Sequence, residues 1–258
     1  GFREGMVLAK RNKVYSFFDY SGNLMIDNLA KANLFYEGKA SVHKGNIAMY
    51  INKRGENVFP DLMVDVCYDF RNTFAIVKTM NPDYKFIGGI LNVDGVLILP
   101  IKYSTLGSIS DGLFCAGISD KVGFIDIQGN FQIAEKYFRA FSFYDGVAAV
   151  QYIKDVNRDP LPKNWVLINK KDQIVKLLDS DLTVTSDFSE GFALVAKLVG
   201  NERRYGYMDT AGNLLFEPQF DQVTSFKNGF AKVTKKGKHA IANNKGEIIY
   251  IDDIFGRK

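Results

Sequence analysis

The chain has 258 residues, 47% of them hydrophobic and 14% aromatic, so it carries enough apolar surface to bury a sizeable core and is not a disordered segment. Its 33 basic and 29 acidic residues leave a formal net charge of +4, a dispersed excess without the dense basic stripe of a phosphate-backbone binder, so no nucleic-acid partner is expected. The longest apolar runs, such as 96–100, fall far below the roughly 18 residues of a membrane-crossing helix, and no membrane span is expected.

Taken in chain order, the predicted elements are short strands punctuated by two recurring turns. The first turn is Phe, two residues, then Gly: Phe2/Gly5, Phe35/Gly38, Phe143/Gly146, Phe188/Gly191 and Phe226/Gly229, with Ile109/Gly112 a close variant and Asp69/Asn72 a weaker copy. The second is Asp or Asn, two residues, then Gly: Asp19/Gly22, Asn52/Gly55, Asn92/Gly95, Asp126/Gly129, Asp209/Gly212 and Asn243/Gly246, with Asn169/Asp172 in the fifth copy. Successive copies of this second turn are 33, 40, 34, 43, 40 and 34 residues apart, so the chain is a tandem array of seven units. The approximate repeats are 1–33, 34–67, 68–107, 108–139, 140–185, 186–222 and 223–258, in one repeat-array domain. Asn72 and Asp172 stand where glycine is missing, and these side chains tolerate the left-handed backbone that glycine would supply. The second turn has the signature of a type I turn with a glycine bulge, which predicts a hairpin.

Strands flank both turns. Two and four residues after the first turn, all fourteen positions are apolar: Val7, Ala40, Phe74, Phe114, Ala148, Ala193 and Ala231, then Ala9, Val42, Ile76, Ala116, Val150, Val195 and Val233. A second strand, apolar on both faces, precedes each hairpin turn, as at 15–19, 122–126 and 205–209. A third follows it, with Pro60, Pro100 and Pro218 expected to stop it. A fourth short strand is allowed in linkers such as 218–223. A middle strand apolar on both faces requires that neighbouring sheets cover it from both sides. The fold class is therefore all-β: seven antiparallel sheets of three to four strands stacked face to face, with a propeller-like ring favoured over an open superhelix.

The unit F-x-E-G-x-A-x-V, then Y-G-Y-x-D-x-x-G-x-L, then P-x-F-D, seen at 188–221, resembles the bacterial WG (also called KWG) repeat, and the resemblance covers nearly the whole chain. The tryptophan slot of that family is filled by Tyr15, Ala48, Gly88, Val122, Trp165, Tyr205 and His239, and the following glycine survives as Gly89, Gly123 and Gly206. The resemblance implies architecture rather than chemistry: no fixed catalytic residues, and a bacterial setting in which an envelope or secreted location fits. The residues themselves fix no compartment.

Candidate chemistry is sparse. There are two histidines, His43 at the end of a first strand and His239 in an aromatic slot, where a packing role is the expectation. The two cysteines, Cys67 and Cys115, form no C-x-x-C pair and are expected as buried free thiols. No nucleophile elbow, phosphate loop, zinc-protease motif or EF-hand loop is present, so no cofactor, metal or catalytic residue is assigned. The turn Asp and Asn residues are expected to satisfy turn N–H groups rather than hold calcium.

Three repeats lengthen between first and second strands, at 78–85, 152–163 and 197–204, and each insert is net basic. Insertions at one point of a repeat share one face, and loops on a rigid scaffold commonly carry binding. The candidate binding residues are Lys154, Arg158, Lys163, Trp165, Arg203 and Arg204. The expected function is a non-catalytic scaffold for a protein partner, with an acidic protein or a polysaccharide suited to the basic rim. The alternatives are a lectin-like carbohydrate-binding module, which exposed rings at Trp165 or nearby tyrosines would favour, and a glycosidase-type enzyme, which needs paired carboxylates.

Overall fold

The computed structural model describes residues 1–152 and 164–250. All regular structure among them is β, in six hydrogen-bonded antiparallel sheets. Contacts divide the chain into two compact units, one of residues 1–108 with 116–119 and 127–130, the other of 109–115, 120–126 and 131–258.

The first unit holds three sheets. In chain order they are Phe2–Arg3, Met6–Arg11, Val14–Phe18 and Leu24–Leu29; then Lys31–Ala32, Ala40–Lys44 and Ile47–Ile51; then Val66–Cys67, Phe74–Met80, Phe86–Asn92 and Leu97–Tyr103. One core lies between the first two, where Phe17 and Ile26 meet Phe35, Ala40 and Val42. A second lies between the next two, where Tyr50 meets Phe70, Ala75, Val77 and Leu91. The second unit repeats this construction. Phe124 and Tyr137 pack on Phe143, Ala148 and Val150; Trp165 and Leu167 pack on Phe188, Ala193 and Val195; Tyr207 and Phe220 pack on Phe226, Ala231 and Val233. Each core is closed only by the next repeat, as apolar residues on both faces of the middle strand require.

The fourth strand precedes the first strand of its sheet. Gln222–Val223, inside the linker that the sequence left room for, pairs with Phe230–Lys235. In the fifth repeat that role falls to Phe131–Ala140, which pairs with both Val122–Ile125 and Val147–Tyr152 and so merges two repeats into a seven-stranded sheet.

The third repeat is in a different register from the one its sequence suggested. Every first turn places two consecutive residues at positive φ, as in Glu37/Gly38 (52° and 75°) and Asn228/Gly229 (54° and 78°). In the third repeat the pair is Asn72/Thr73, at 50° and 68°, so Thr73 and not Asn72 occupies the glycine position. The anchor is accordingly the buried Phe70, equivalent to Phe35 and Phe143, and Asp69 lies one residue ahead of it. The inward pair becomes Ala75 and Val77, both buried, while Phe74 and Ile76 are half-buried. A one-residue slip exchanges the faces of a strand, and apolar residues on both faces here concealed the slip. In the first repeat, too, Met6 is the buried residue and Ala9 is exposed.

The prolines also act otherwise than expected. Pro100 and Pro218 lie inside the strands Leu97–Tyr103 and Leu214–Phe220 rather than ending them. Both sit in bulges. Opposite Gly89 the register runs from Gly88↔Tyr103 to Ile90↔Leu99; opposite Gly123, from Val122↔Tyr137 to Phe124↔Ile133; opposite Gly206, from Tyr205↔Phe220 to Tyr207↔Phe216. In each case the third strand spends two extra residues against one glycine-centred step, and a proline without an N–H is tolerated there. A Cβ on Gly206 would lie 2.2 Å from the Phe216 carbonyl oxygen, and one on Gly123 2.3 Å from that of Ile133. Repeats with Val166 or Ala240 at the same place keep a straight register there, Val166↔Leu177 then Leu167↔Lys176, and Ala240↔Tyr250 then Ile241↔Ile249. The first repeat has a smaller bulge, with one extra residue opposite Ser16, running from Tyr15↔Leu29 to Phe17↔Ile26. Among the described residues the wider bulge, with two extra residues, stands opposite glycine in each of its three copies.

Candidate functional site

The second turns are closed by their own side chains. Asp209 Oδ1 accepts the N–H groups of Ala211 and Asn213 at 2.9 and 2.8 Å, and Asn52, Asn92, Asn169 and Asn243 accept from the equivalent donors. These oxygens are committed to turn N–H groups, which is the role assigned to them from the sequence. Asp172, at φ 64°, also receives Lys136 and the Tyr137 hydroxyl from the preceding repeat, a second reason for aspartate where the other turns have glycine.

First turns are linked to one another through their acidic residues. Glu4 accepts the Gly38 N–H at 3.0 Å, Glu37 that of Thr73 at 3.1 Å, and Asp111 that of Gly146 at 2.6 Å. Glu190 accepts from both Asn228 and Gly229, at 2.6 and 2.7 Å. The acidic residue of F-x-E-G therefore caps the next repeat's turn, a role that sequence reading missed because the partners stand 34 to 39 residues apart. Tyr50 and Tyr207 add a second tie, donating to the backbone carbonyls of Tyr68 and Thr224 at 2.6 and 2.8 Å.

Two of the three inserts are hairpin extensions rather than loops. Phe192–Val199 and Glu202–Asp209 pair at every residue from Phe192↔Asp209 to Val199↔Glu202. At the tip Leu198 and Val199 are 69% and 51% exposed. Its basic residues are largely engaged: Lys197 is 2.7 Å from Asp181, which holds its pKa above the usual lysine value, and Arg204 pairs with Glu202 and Asp221. Asp221 also accepts the Gly237 N–H at 3.1 Å, so Arg204 is tied to the following repeat's turn and not presented to solvent as a free cation. Arg203 remains exposed, its guanidinium 5.6 Å from the Tyr205 ring. The other extension pairs Phe74–Met80 with Phe86–Asn92, and its tip carries Tyr84, 86% exposed, beside exposed Met80 and Phe86. Both tips are more apolar than the charge count of the inserts suggested. Lys154, Arg158 and Lys163 lie outside the described residues.

Trp165 is no surface platform. It is 3% exposed, stacked on Phe141 at 5.4 Å, in the core between the fifth and sixth repeats. His239, expected to pack, is exposed, with Nδ1 3.2 Å from the Thr234 hydroxyl. Partial burial, with Lys31 beside it, holds the His43 pKa below the usual histidine value. Burial pushes the thiols of Cys67 and Cys115 up to about 12, so both are held as neutral thiols. Among the described residues no cluster of three or more His, Cys, Asp or Glu side chains has the arrangement of a metal site.

One surface grouping was not anticipated. The residue after the anchor Phe is Arg3 in the first repeat, Tyr36 in the second and Arg71 in the third, and both guanidinium groups lie over the Tyr36 ring, at 3.6 and 5.0 Å from its centre. Lys39, bridged to Tyr36 across its turn, places its ammonium over the Phe70 and Phe59 rings, 5.5 and 6.0 Å from their centres, and Lys53 lies 4.0 Å from Glu4.

Among solved structures, the chain is similar to the uncharacterized protein lmo1340 from Listeria monocytogenes, at 11% identity over 95% of this chain and 90% of that one, with a TM-score of 0.54. It is also similar to oligopeptidase B from Trypanosoma brucei, at 10% identity over 96% of this chain and a TM-score of 0.54. The likeness spans only 48% of the peptidase chain. At such identities the likeness shows the fold alone: all-β, of the β-propeller type, in successive antiparallel sheets. No curated protein matches the chain. The family model for the WG containing repeat matches residues 123–152 and 205–238, two segments that each begin at the glycine-centred step and continue through the next first turn. In those two segments, and in the seven turn pairs and three bulge-facing glycines described above, the chain is similar to WG-repeat proteins.

Proposed function

We propose that the chain is a non-catalytic binding scaffold that engages a protein partner through its extended hairpin tips. The observation that carries this reading is the hairpin of Phe192–Val199 and Glu202–Asp209, which holds two adjacent, largely exposed aliphatic side chains, Leu198 and Val199, on an unbroken ladder. Apolar side chains held rigidly in water lose little conformational entropy on docking and gain from desolvation, the combination found in interface anchors. Arg203 on the same hairpin supplies a charged neighbour that orients a partner with an acidic rim.

The reading favours a protein over a polysaccharide on the hairpin of Leu198 and Val199, which presents aliphatic groups, and on Trp165, which is in the core; exposed Tyr84 at the other tip is the ring that would serve a sugar. The test compares capture from lysate and envelope fractions by wild type and by a Leu198→Ser, Val199→Ser, Arg203→Glu variant that retains its circular dichroism spectrum. A protein held by wild type and lost by the variant supports the reading. Equal recovery by both removes the hairpin tip from the interface, and retention on a glycan array in place of protein capture overturns the partner class.

A further inference from the structure

Arg3 and Arg71 are exposed, and the half-buried Tyr36 ring between them packs against the core of Tyr50 and Phe70; the fold does not require the two arginines. Repeats four to six carry the same slots with Ser110, Tyr144 and Ser189, so a tyrosine there is packed without a cation on either side. Tyr144 leans on Phe188 at 6.1 Å, and the Ser189 hydroxyl binds the Phe226 carbonyl at 2.9 Å. The arginine pair is an addition to the scaffold. It is also an uncompensated one: neither guanidinium has an ion-pair partner among the described residues. Two carboxylates of the same row are engaged elsewhere, Glu4 by the Gly38 N–H and Lys53, and Glu37 by the Thr73 N–H.

Because both guanidinium groups sit over one ring, at 3.6 and 5.0 Å from its centre, their carbons are within about 9 Å of each other. Like charges held so near in an exposed row create a local field that favours an anion with two charges at matching separation. Alternate residues of an extended peptide lie on one face about 7 Å apart, and side-chain reach covers the remainder. Each guanidinium can engage a carboxylate through two parallel N–H donors while its face stays on the tyrosine.

We propose that Arg3, Tyr36 and Arg71 form a binding site for an extended acidic peptide segment with carboxylates on alternate residues, a site distinct from the hairpin tips and independent of them. The test is fluorescence polarisation with a labelled peptide of alternating glycine and glutamate, and with its glutamine counterpart, against the full chain. Serine is the informative replacement, since repeats four and six carry it in these slots. Wild type is expected to bind the glutamate peptide saturably and the glutamine peptide not at all. Arg3→Ser or Arg71→Ser alone should weaken binding about tenfold and the pair more than thirtyfold, as loss of a charge-assisted bidentate contact implies. A Lys238→Ser, Lys245→Ser variant, which removes the same charge from exposed positions elsewhere, should bind as wild type does. Equal weakening by that control, binding of both peptides alike, or binding of polygalacturonate and not of the peptide would each overturn the proposal.

Discussion

Gly206→Ala tests the strongest backbone constraint in the fold. The added Cβ would sit 2.2 Å from the Phe216 carbonyl oxygen and 2.9 Å from Glu217 C and Pro218 N, all backbone atoms that no rotamer change can move. To accept it, the third strand must withdraw from its bulge, which loosens the pairs Tyr205↔Phe220 and Tyr207↔Phe216. Phe216 and Phe220 are both buried against Tyr207, so the shift also opens the core between the sixth and seventh repeats. Overpacking typically costs about 1–3 kcal/mol, and a backbone obstacle belongs at the upper end, so the expected loss is about 3 kcal/mol. For a chain of this length about 2–4 °C accompanies each kcal/mol, which places the expected fall in Tm at about 6–12 °C. Differential scanning calorimetry of Gly206→Ala beside wild type reads it directly. A loss below about 0.5 kcal/mol would refute the reasoning, because it would mean that the bulge can straighten into the register of the fifth and seventh repeats without cost. Ala240→Gly supplies the converse: no bulge faces that position, and the expected cost is the ordinary penalty of about 1 kcal/mol for glycine in a strand plus about 0.8 kcal/mol for the buried methyl.

Thr73 is a β-branched residue at φ 68°, so Thr73→Gly should raise stability by about 0.5–1 kcal/mol, read as a higher midpoint in urea; an unchanged or lower midpoint would show that the turn carries no strain. The N–H that Glu37 accepts is kept in that variant. The buried thiols predict alkaline lability. With folded values of about 12 against 9.0 for an exposed cysteine, the unfolded chain releases these protons first, so their contribution is intact below pH 9 and is lost as pH rises from 9 to about 12. A Cys67→Ala, Cys115→Ala variant should lose less stability over that interval than wild type in pH-dependent urea melts, and parallel curves would contradict the assignment.

What could be read from the sequence was what local chemistry determines. Asp209 closes its turn with its own carboxylate, and Gly212 follows at a fixed spacing, so the hairpins, their number and the all-β class were visible. The slip in the third repeat shows where local reading ends: Asp69 and Asn72 offer a convincing turn, and only the burial of Phe70 and the positive φ of Thr73 place it one residue later. Contacts between repeats were not legible at all. Nothing in the order of residues says that Glu190 caps Asn228, that Arg204 is neutralised by Asp221, or that Arg3 and Arg71 meet over Tyr36, since each depends on how one sheet is laid on the next. The same holds for the binding candidates: the basic inserts were visible as charge, but their pairing and the apolar exposure at Leu198 and Val199 were not.

The two residues that name the repeat differ in what they constrain. Its tryptophan slot holds side chains from nothing to indole, and the neighbours supply the missing volume: Trp165 lies on Phe141, while a Cβ at Gly88 would come within 3.7 Å of the Leu106 side chain. Exposure there runs from the buried Trp165 and Ala48 to the exposed His239, so no single packing environment defines the slot. The glycine that follows is different, because at Gly89, Gly123 and Gly206, opposite the two-residue bulges, a carbonyl oxygen stands where its side chain would be. Volume can be redistributed among flexible side chains, whereas a backbone crossing cannot. The repeat can therefore lose its aromatic residue and keep its fold, but where it loses its glycine it narrows the bulge to one extra residue, as at Ser16, or gives it up, as the repeats with Val166 and Ala240 have done.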